Sequence, residues 1–108
     1  MSYIRFLNVK EKLELQITDR SDSCNAIKLY KDNNLIKYCK FKLENLTVPI
    51  LSESINDAKE LGVNRVICYP NSIFDMTNGF KIKMYPGDYY SLDFDLGKVE
   101  DVVVSIHH

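Results

Sequence analysis

Hydrophobic and polar residues alternate over several stretches of this chain, and a period of two is typical of strands with one buried face. Residues 12–18 alternate strictly and place three branched apolar side chains on one side. Apolar, β-prone residues also predict a first strand around residues 4–7 and a final strand over residues 101–106. The pattern therefore predicts that strands dominate the fold.

Two further strands, residues 27–31 and 35–43, flank the tripeptide Asp32-Asn33-Asn34. This arrangement predicts a hairpin, because Asn and Asp tolerate the positive φ of a tight turn. More than one register of this hairpin gives an acceptable apolar face. Residues 65–69 are apolar and β-prone, which predicts a central strand.

The last third of the chain predicts a second hairpin, whose register is restricted by its apolar faces. Directly opposed residues lie on the same face of a sheet. We therefore expect Phe80 opposite Phe94 and Ile82 opposite Leu92. The connection is then a three-residue loop, Pro86-Gly87-Asp88.

One α-helix is predicted near residues 52–61. Ser52 is the expected N-cap, since its hydroxyl can accept a hydrogen bond from the first turn. Ile55 and Ala58 lie near one apolar face. Gly62 is placed to end the helix in the left-handed conformation.

These elements predict one globular domain over residues 1–108 with an α+β, β-rich fold. We expect about seven or eight short, mostly antiparallel strands, arranged as a sandwich or a partly closed barrel, with the single helix between the two halves. The chain is 45% hydrophobic and 27% charged, which is typical of a folded protein and not of a disordered one.

The cellular compartment of the protein is predicted from its hydrophobic runs, its N-terminus and its cysteines. No apolar run approaches the roughly 20 residues that a membrane-spanning helix needs, and the N-terminus lacks the pattern of a signal peptide. Cys24, Cys39 and Cys68 are odd in number and widely spaced. This spacing indicates reduced thiols and not a disulfide framework. We expect a cytoplasmic protein.

Catalytic and cofactor motifs are weak. Asp93 and Asp95 point the same way on a strand, but we expect Lys81 opposite Asp93 as an ordinary ion pair on the solvent face. Cys24 lies in a polar cluster at residues 21–25, which predicts a turn. A nucleophile needs a nearby base such as histidine, but both histidines stand at the last two positions of the sequence. The four glycines are too dispersed for a phosphate loop. We expect no enzyme activity, no cofactor and no metal.

The segment from Pro70 to Gly79 is the most informative part of the chain for binding. It is predicted to be a loop, yet it carries Ile73, Phe74 and Met76. These side chains either close the end of the core or form a contact patch for a partner. Tyrosines that would extend such a patch are Tyr69, Tyr85, Tyr89 and Tyr90.

Charge is distributed unevenly along the chain. Residues 1–44 hold nine Lys/Arg and six Asp/Glu, whereas residues 45–108 hold five and nine. Lysines crowd the first hairpin, and we expect Lys37 and Lys40 to contact an acidic protein surface, a second copy or an anionic ligand. The net charge of −1 argues against a nucleic-acid partner, although aromatic residues are interleaved with the lysines.

The sequence thus favours a small, non-catalytic binding protein that acts through a protein–protein or self-assembly surface. Such a protein would suit an accessory or inhibitor role in a bacterium, phage or mobile element, and a homo-oligomer is one form it could take. The alternative is a domain that sequesters a small, nucleotide-like molecule, with tyrosines stacking on a base and lysines holding a phosphate. An enzyme comes third.

Overall fold

The computed structural model describes residues 2–19, 24–42, 47–68, 72–87 and 89–108. These residues form nine strands and one α-helix, so the predicted β-rich α+β class is confirmed, with one or two strands more than expected. The strands are β1 (Ser2–Asn8), β2 (Leu13–Asp19), β3 (Cys24–Lys31), β4 (Asn34–Lys42), β5 (Arg65–Cys68), β6 (Ser72–Asp75), β7 (Lys81–Gly87), β8 (Tyr90–Asp95) and β9 (Val102–His107). The helix is α1 (Val48–Leu61), and a short 3-10 helix, Val99–Asp101, precedes β9.

The strands form two antiparallel sheets whose inner faces share one hydrophobic core. The first sheet has the order β4-β3-β2-β1-β9, and the second sheet has the order β5-β6-β7-β8. Phe6 of β1 stacks on Phe74 of β6, with ring centroids 6.0 Å apart, and lies 5.6 Å from the ring of Phe80. These aromatic contacts join the two sheets at the centre of the molecule.

Helix α1 contacts β1, β2 and β9 of the first sheet and β5 of the second. It begins four residues before the predicted position. Thr47 is the N-cap, with its hydroxyl accepting a hydrogen bond from the backbone N–H of Ile50, and Pro49 fits the first turn because that turn needs no intrahelical N–H donor. Ser52, the predicted N-cap, is instead buried within the helix. The predicted left-handed cap at Gly62 is confirmed, with φ 71°.

Lys59 connects the last turn of α1 to the first sheet. Its Nζ donates a hydrogen bond of 2.7 Å to the carbonyl oxygen of Val102. Burial lowers the pKa of this amine. Within the described ranges, no helix combines the length and the apolar character needed to cross a membrane.

The first predicted hairpin is formed by β3 and β4. Lys31 pairs with Asn34, so that Asp32 and Asn33 alone make the turn. Both turn residues have a positive φ, 50° and 66°, which matches the twist of the flanking strands. A bulge interrupts the pairing just after Leu29. Strand β4 forms one edge of the first sheet.

The second hairpin, β7 and β8, has a different register from the predicted one. Ile82 pairs with Phe94, so the expectation that Phe80 opposes Phe94 was wrong by two residues. Phe80 instead accepts a backbone hydrogen bond of 2.8 Å from Leu96. Because side chains alternate with a period of two, this shift leaves Ile82, Met84, Leu92 and Phe94 on their predicted face. A bulge after Met84 accommodates the changed register.

The new register also changes the turn and the predicted ion pair. Gly87 pairs with Tyr90, which is inconsistent with the three-residue loop, and Asp88 lies outside the described residues. Lys83, and not Lys81, is opposite Asp93. The prediction of a lysine–aspartate pair on the solvent face is therefore confirmed, but its lysine is Lys83 and not Lys81.

Two other predictions in this half need correction. Strand β5 was expected to be central, but it is an edge strand of the second sheet, and Ile67 is 70% exposed. The predicted loop from Pro70 to Gly79 contains β6, which lies between β5 and β7. Proline and glycine are typical of turns, and their presence at positions 70 and 79 of the sequence led to the loop prediction for a segment that contains this short strand.

Candidate functional site

The outer face of the second sheet carries a row of alternating charges. Arg65 of β5 pairs with Asp75 of β6, Asp75 pairs with Lys81 of β7, and Lys81 pairs with Asp95 of β8. Their sequence neighbours on each strand face the core, so these four side chains face outward. The Cβ atoms of directly opposed residues in neighbouring strands are about 5 Å apart, which is close enough for the charged groups to interact. We call these four residues the charge row.

A second row of residues lies beside the charge row. It runs Ile67, Ile73, Lys83, Asp93 across the same four strands. Its half on β5 and β6 is apolar, and its half on β7 and β8 holds an ion pair, with Lys83 Nζ 3.8 Å from Asp93 Oδ1. The outer face therefore combines charge with apolar surface.

The charge row and three residues of the second row line a groove of about 570 Å³ on the outer face. The charge row forms much of its wall, together with Ile73, Lys83 and Asp93. Tyr85 of β7 stands at the groove and is 40% exposed. We call this surface the outer groove.

Local hydrogen bonds and neighbouring charges set the electrostatics of the outer groove. The backbone N–H of Thr77 donates a hydrogen bond of 2.9 Å to Asp75 Oδ1. Hydrogen bonds from Thr77 lower the pKa of the Asp75 carboxyl, and the cations of Arg65 and Lys81 lower it further. Asp95 Oδ1 accepts a similar bond of 2.9 Å from the N–H of Gly97. Both carboxylates of the charge row are thus held by their own turns.

The residues of the predicted contact patch are divided between the core and the surface. Phe74 is fully buried and Met76 is 7% exposed, so these two side chains belong to the core and are not presented to a partner. This outcome matches the alternative in which the segment closes the core. Ile73 points the other way and lines the outer groove.

The predicted tyrosines are also separated. Tyr85 lines the outer groove, whereas Tyr89 and Tyr90 lie at the β7–β8 turn and are 98% and 57% exposed. Tyr69 lies outside the described residues. The structure therefore joins Ile73 and Tyr85 in one surface and leaves the two turn tyrosines beside the hairpin end.

Lys37 and Lys40 lie on β4, apart from the outer groove. Lys37 is on the core-facing side of this edge strand, and its Nζ lies 4.9 Å from the ring centroid of Phe94. Lys37 therefore links the two sheets by a cation–π contact. Lys40 is exposed on the opposite side of β4. An inward lysine, an outward lysine and a bulge together discourage pairing of this edge with another strand.

Nucleophiles and metal ligands do not converge in the part of the chain that the structure describes. Burial raises the pKa of the Cys39 and Cys68 thiols, which favours the unreactive protonated form. No cluster of three potential metal ligands occurs among the described residues. His107 is part of β9 and not a frayed end, with Nε2 2.9 Å from Ser105 Oγ and its ring stacked 4.9 Å from Tyr3.

Sequence reasoning missed the charge row, apart from the outward position of Lys81 and Asp95. Arg65 and Asp75 had been assigned to a central strand and a loop, where no common face could be recognised. The adjacent β-branched and aromatic residues Ile73 and Phe74 were the available signal for β6, although its four residues do not alternate in polarity. Comparisons of the chain with protein-family models, curated proteins and solved structures find no match.

Proposed function

We propose that this protein is a binding protein that contacts another protein chain through the outer groove. One observation carries the proposal: the outer face of the second sheet is a concave, exposed surface in which charges stand beside Ile73 and Tyr85.

The chemistry of the outer groove supports a protein partner. Ile73 and Tyr85 supply apolar and aromatic surface, which interface centres favour, and Ile67 lies beside Ile73 on the same face. The charges around them can set orientation and exclude wrong partners. Two free thiols, Cys39 and Cys68, support a reducing compartment, and we propose the cytoplasm as the location.

A small polar ligand is the second candidate, and the size of the outer groove favours it. Its volume of about 570 Å³ lies within the range of about 300–1,000 Å³ that ligand pockets occupy. Lys81 and Lys83 could hold a phosphate, with Tyr85 stacking on a base. However, the carboxylates of Asp75 and Asp93 face the same space and would repel a phosphate. A protein partner is therefore the better proposal.

The test compares two charge reversals of matched chemistry. Lys81→Glu changes the centre of the outer groove, and Lys40→Glu changes an exposed lysine on β4. Each variant and the wild type are immobilised, exposed to a lysate of the source cells, and the retained proteins are quantified by mass spectrometry. We expect Lys81→Glu to lose a partner that the wild type and Lys40→Glu retain.

Two outcomes would contradict the proposal. Loss of the partner from Lys40→Glu alone would assign binding to the β3–β4 hairpin, and retention by both variants would exclude both surfaces. Native mass spectrometry of the purified protein tests the second candidate. A bound mass that disappears in Tyr85→Ala would identify the outer groove as a ligand site instead.

A further inference from the structure

The charge row has a symmetry that suggests which protein the outer groove binds. Across β5, β6, β7 and β8 its signs run positive, negative, positive, negative. An alternating row with an even number of members is antisymmetric about its centre. Rotation by half a turn about that centre therefore replaces every cation by a carboxylate.

From this property we propose that the outer groove binds a second copy of the same chain, in a face-to-face dimer with a twofold axis parallel to the strands. The axis passes between β6 and β7. Arg65 of each copy then lies opposite Asp95 of the other, and Asp75 lies opposite Lys81. Each contact occurs twice, as in any isologous interface. This inference rests on the proposed function and names its partner.

The second row is compatible with the same axis. Ile73 of one copy lies opposite Lys83 of the other, whose aliphatic stem can cover an apolar side chain. Lys83 already pairs with Asp93 in its own chain, so a neutral ion pair faces the isoleucines. Ile67 of one copy lies opposite Asp93 of the other, so the apolar half of each copy faces a lysine–aspartate pair that carries no net charge.

The alternative in-plane axis, perpendicular to the strands, is excluded by charge. It would place the charge row of one copy on the second row of the other. Lys81 would then face Lys83, and Asp95 would face Asp93. Like charges held opposite each other oppose association. The pattern therefore specifies the orientation of the dimer as well as its partner.

A second copy also fits the outer groove better than a partner of one charge sign. An acidic or a basic surface would meet as many like charges as opposite charges in the charge row. A suitable partner must carry the same alternation at the spacing of paired strands, which is about 4.8 Å. A second copy of this chain has the same sheet and therefore carries the same alternation of charges at the same spacing.

The expected affinity is modest, because the surface is small and its charges are exposed. Four strands are only about 14 Å wide from the first to the last axis. Exposed ion pairs contribute little individually and are screened by salt. We expect dissociation constants in the micromolar range or weaker, with the dimer weakening further at high ionic strength.

Complementary charge reversals test the pairing. In Arg65→Glu, residue 65 would face Asp95 of an identical copy, so like charges meet twice. In Asp95→Lys, residue 95 would face Arg65 in the same way. An equimolar mixture of the two variants restores opposite charges at both contacts. Sedimentation equilibrium of each variant, of the mixture and of the wild type is measured up to about 1 mM protein, the range for weak complexes.

We expect the wild type to dimerise, each variant alone to dimerise about tenfold or more weakly, and the mixture to recover the wild-type affinity. Recovery in the mixture also shows that both variants are folded, although Asp95→Lys removes the hydrogen bond to Gly97. Asp75→Lys and Lys81→Asp form an independent pair that should behave in the same way.

A wild type that stays monomeric up to about 1 mM would overturn the dimer. If Lys81→Glu then still lost a different captured protein, the proposed function would stand without this inference. A dimer that ignores both reversals would use another surface, and a mixture that fails to recover would overturn the pairing across the twofold axis. If neither capture nor self-association changed in any groove variant, the proposed function would fail as well.

Discussion

The side-chain amide of Asn8 donates a hydrogen bond from Nδ2 to the carbonyl oxygen of Leu96, at 2.6 Å. Asn8 is fully buried at the end of β1, and Leu96 follows β8, so this bond joins the first sheet to the second. The Oδ1 atom of Asn8 accepts two backbone hydrogen bonds of 2.9 Å, from Lys10 and Glu11. One side chain thus shapes the β1–β2 turn and anchors the β8 end.

Asn8→Ala should lower the free energy of unfolding by about 2 kcal/mol, because it leaves a buried carbonyl and turn N–H groups without partners. A second variant, Asn8→Asp, separates the hydrogen bonds of the turn from the hydrogen bond between the sheets. It keeps the acceptor at Oδ1 but places a carboxylate oxygen against the Leu96 carbonyl, so we expect a greater loss. Urea unfolding measures both. A smaller loss for Asn8→Asp would mean that the turn bonds matter more than the bond between the sheets.

Two glycines with similar backbone conformations allow the cost of a left-handed conformation to be distinguished from the cost of a steric clash. Gly62 and Gly97 have φ 71° and 84°, but a Cβ at Gly62 meets nothing within 4 Å, whereas one at Gly97 would lie 2.6 Å from Asn8 Nδ2. Gly62→Ala should cost about 1 kcal/mol from the left-handed conformation alone. Gly97→Ala should cost at least about 1 kcal/mol more, because the Asn8 amide must move. Equal losses in thermal or urea unfolding would contradict the role of Asn8.

Phe74 and Ile73 are adjacent in β6 but face opposite ways. Phe74→Ala should cost about 3–5 kcal/mol, because it empties a fully buried site beside Phe6. Ile73→Ala should cost about 1 kcal/mol or less and affect binding instead. Denaturant unfolding and the capture assay, applied to both variants, measure this division. A stable Phe74→Ala variant would show that Phe74 is not a core residue.

Lys37 and Lys40 should differ when each is reversed to Glu. Lys37→Glu replaces the cation over the Phe94 ring by a carboxylate and should cost about 1 kcal/mol. Lys40→Glu should leave stability nearly unchanged, since this side chain is exposed. Urea midpoints of the single variants measure the difference. A double reversal would mix a stability effect with any binding effect, so the single variants are the useful ones.

Asp75 should make stability depend on acidic pH. The folded state lowers its pKa below the usual 3.8, chiefly through hydrogen bonds from Thr77 and then through Arg65 and Lys81. A lowered carboxyl pKa stabilises the fold above the usual pKa, and this contribution is lost as the pH falls through the folded-state value. Asp75→Asn keeps an acceptor for Thr77 but removes the charge. Its urea midpoint should be lower than that of the wild type at pH 7, and the two should converge as the pH falls below the folded-state pKa of Asp75.

Within β7 and β8, the sequence alone determined which side chains face the core. In the β7–β8 hairpin the predicted register was wrong by two residues, yet Ile82 and Phe94 still face the core and Asp93 still faces outward. The face depends on a period of two within one strand, which is a local property of the chain. The register depends on the partner strand, and here a bulge after Met84 and the hydrogen bonds of Phe80 set it.

Local signals also determined the end of α1 at Gly62 and the turn at Asp32 and Asn33, because a positive φ favours these residue types. The sequence did not determine that α1 begins after Thr47, because Ser52 has a side-chain hydroxyl that can cap a helix in the same way. In the structure Thr47 caps the helix and Ser52 is buried within it, and burial is a tertiary property.

The candidate site was decided by tertiary structure. Arg65, Asp75, Lys81 and Asp95 are scattered over thirty-one positions of the sequence, and nothing in their local context aligns them. They form one row only because β6 pairs with β5 and β7 and because β7 takes its observed register with β8. Alternation within each strand sends these side chains outward, whereas backbone hydrogen bonding between strands determines which charges become neighbours.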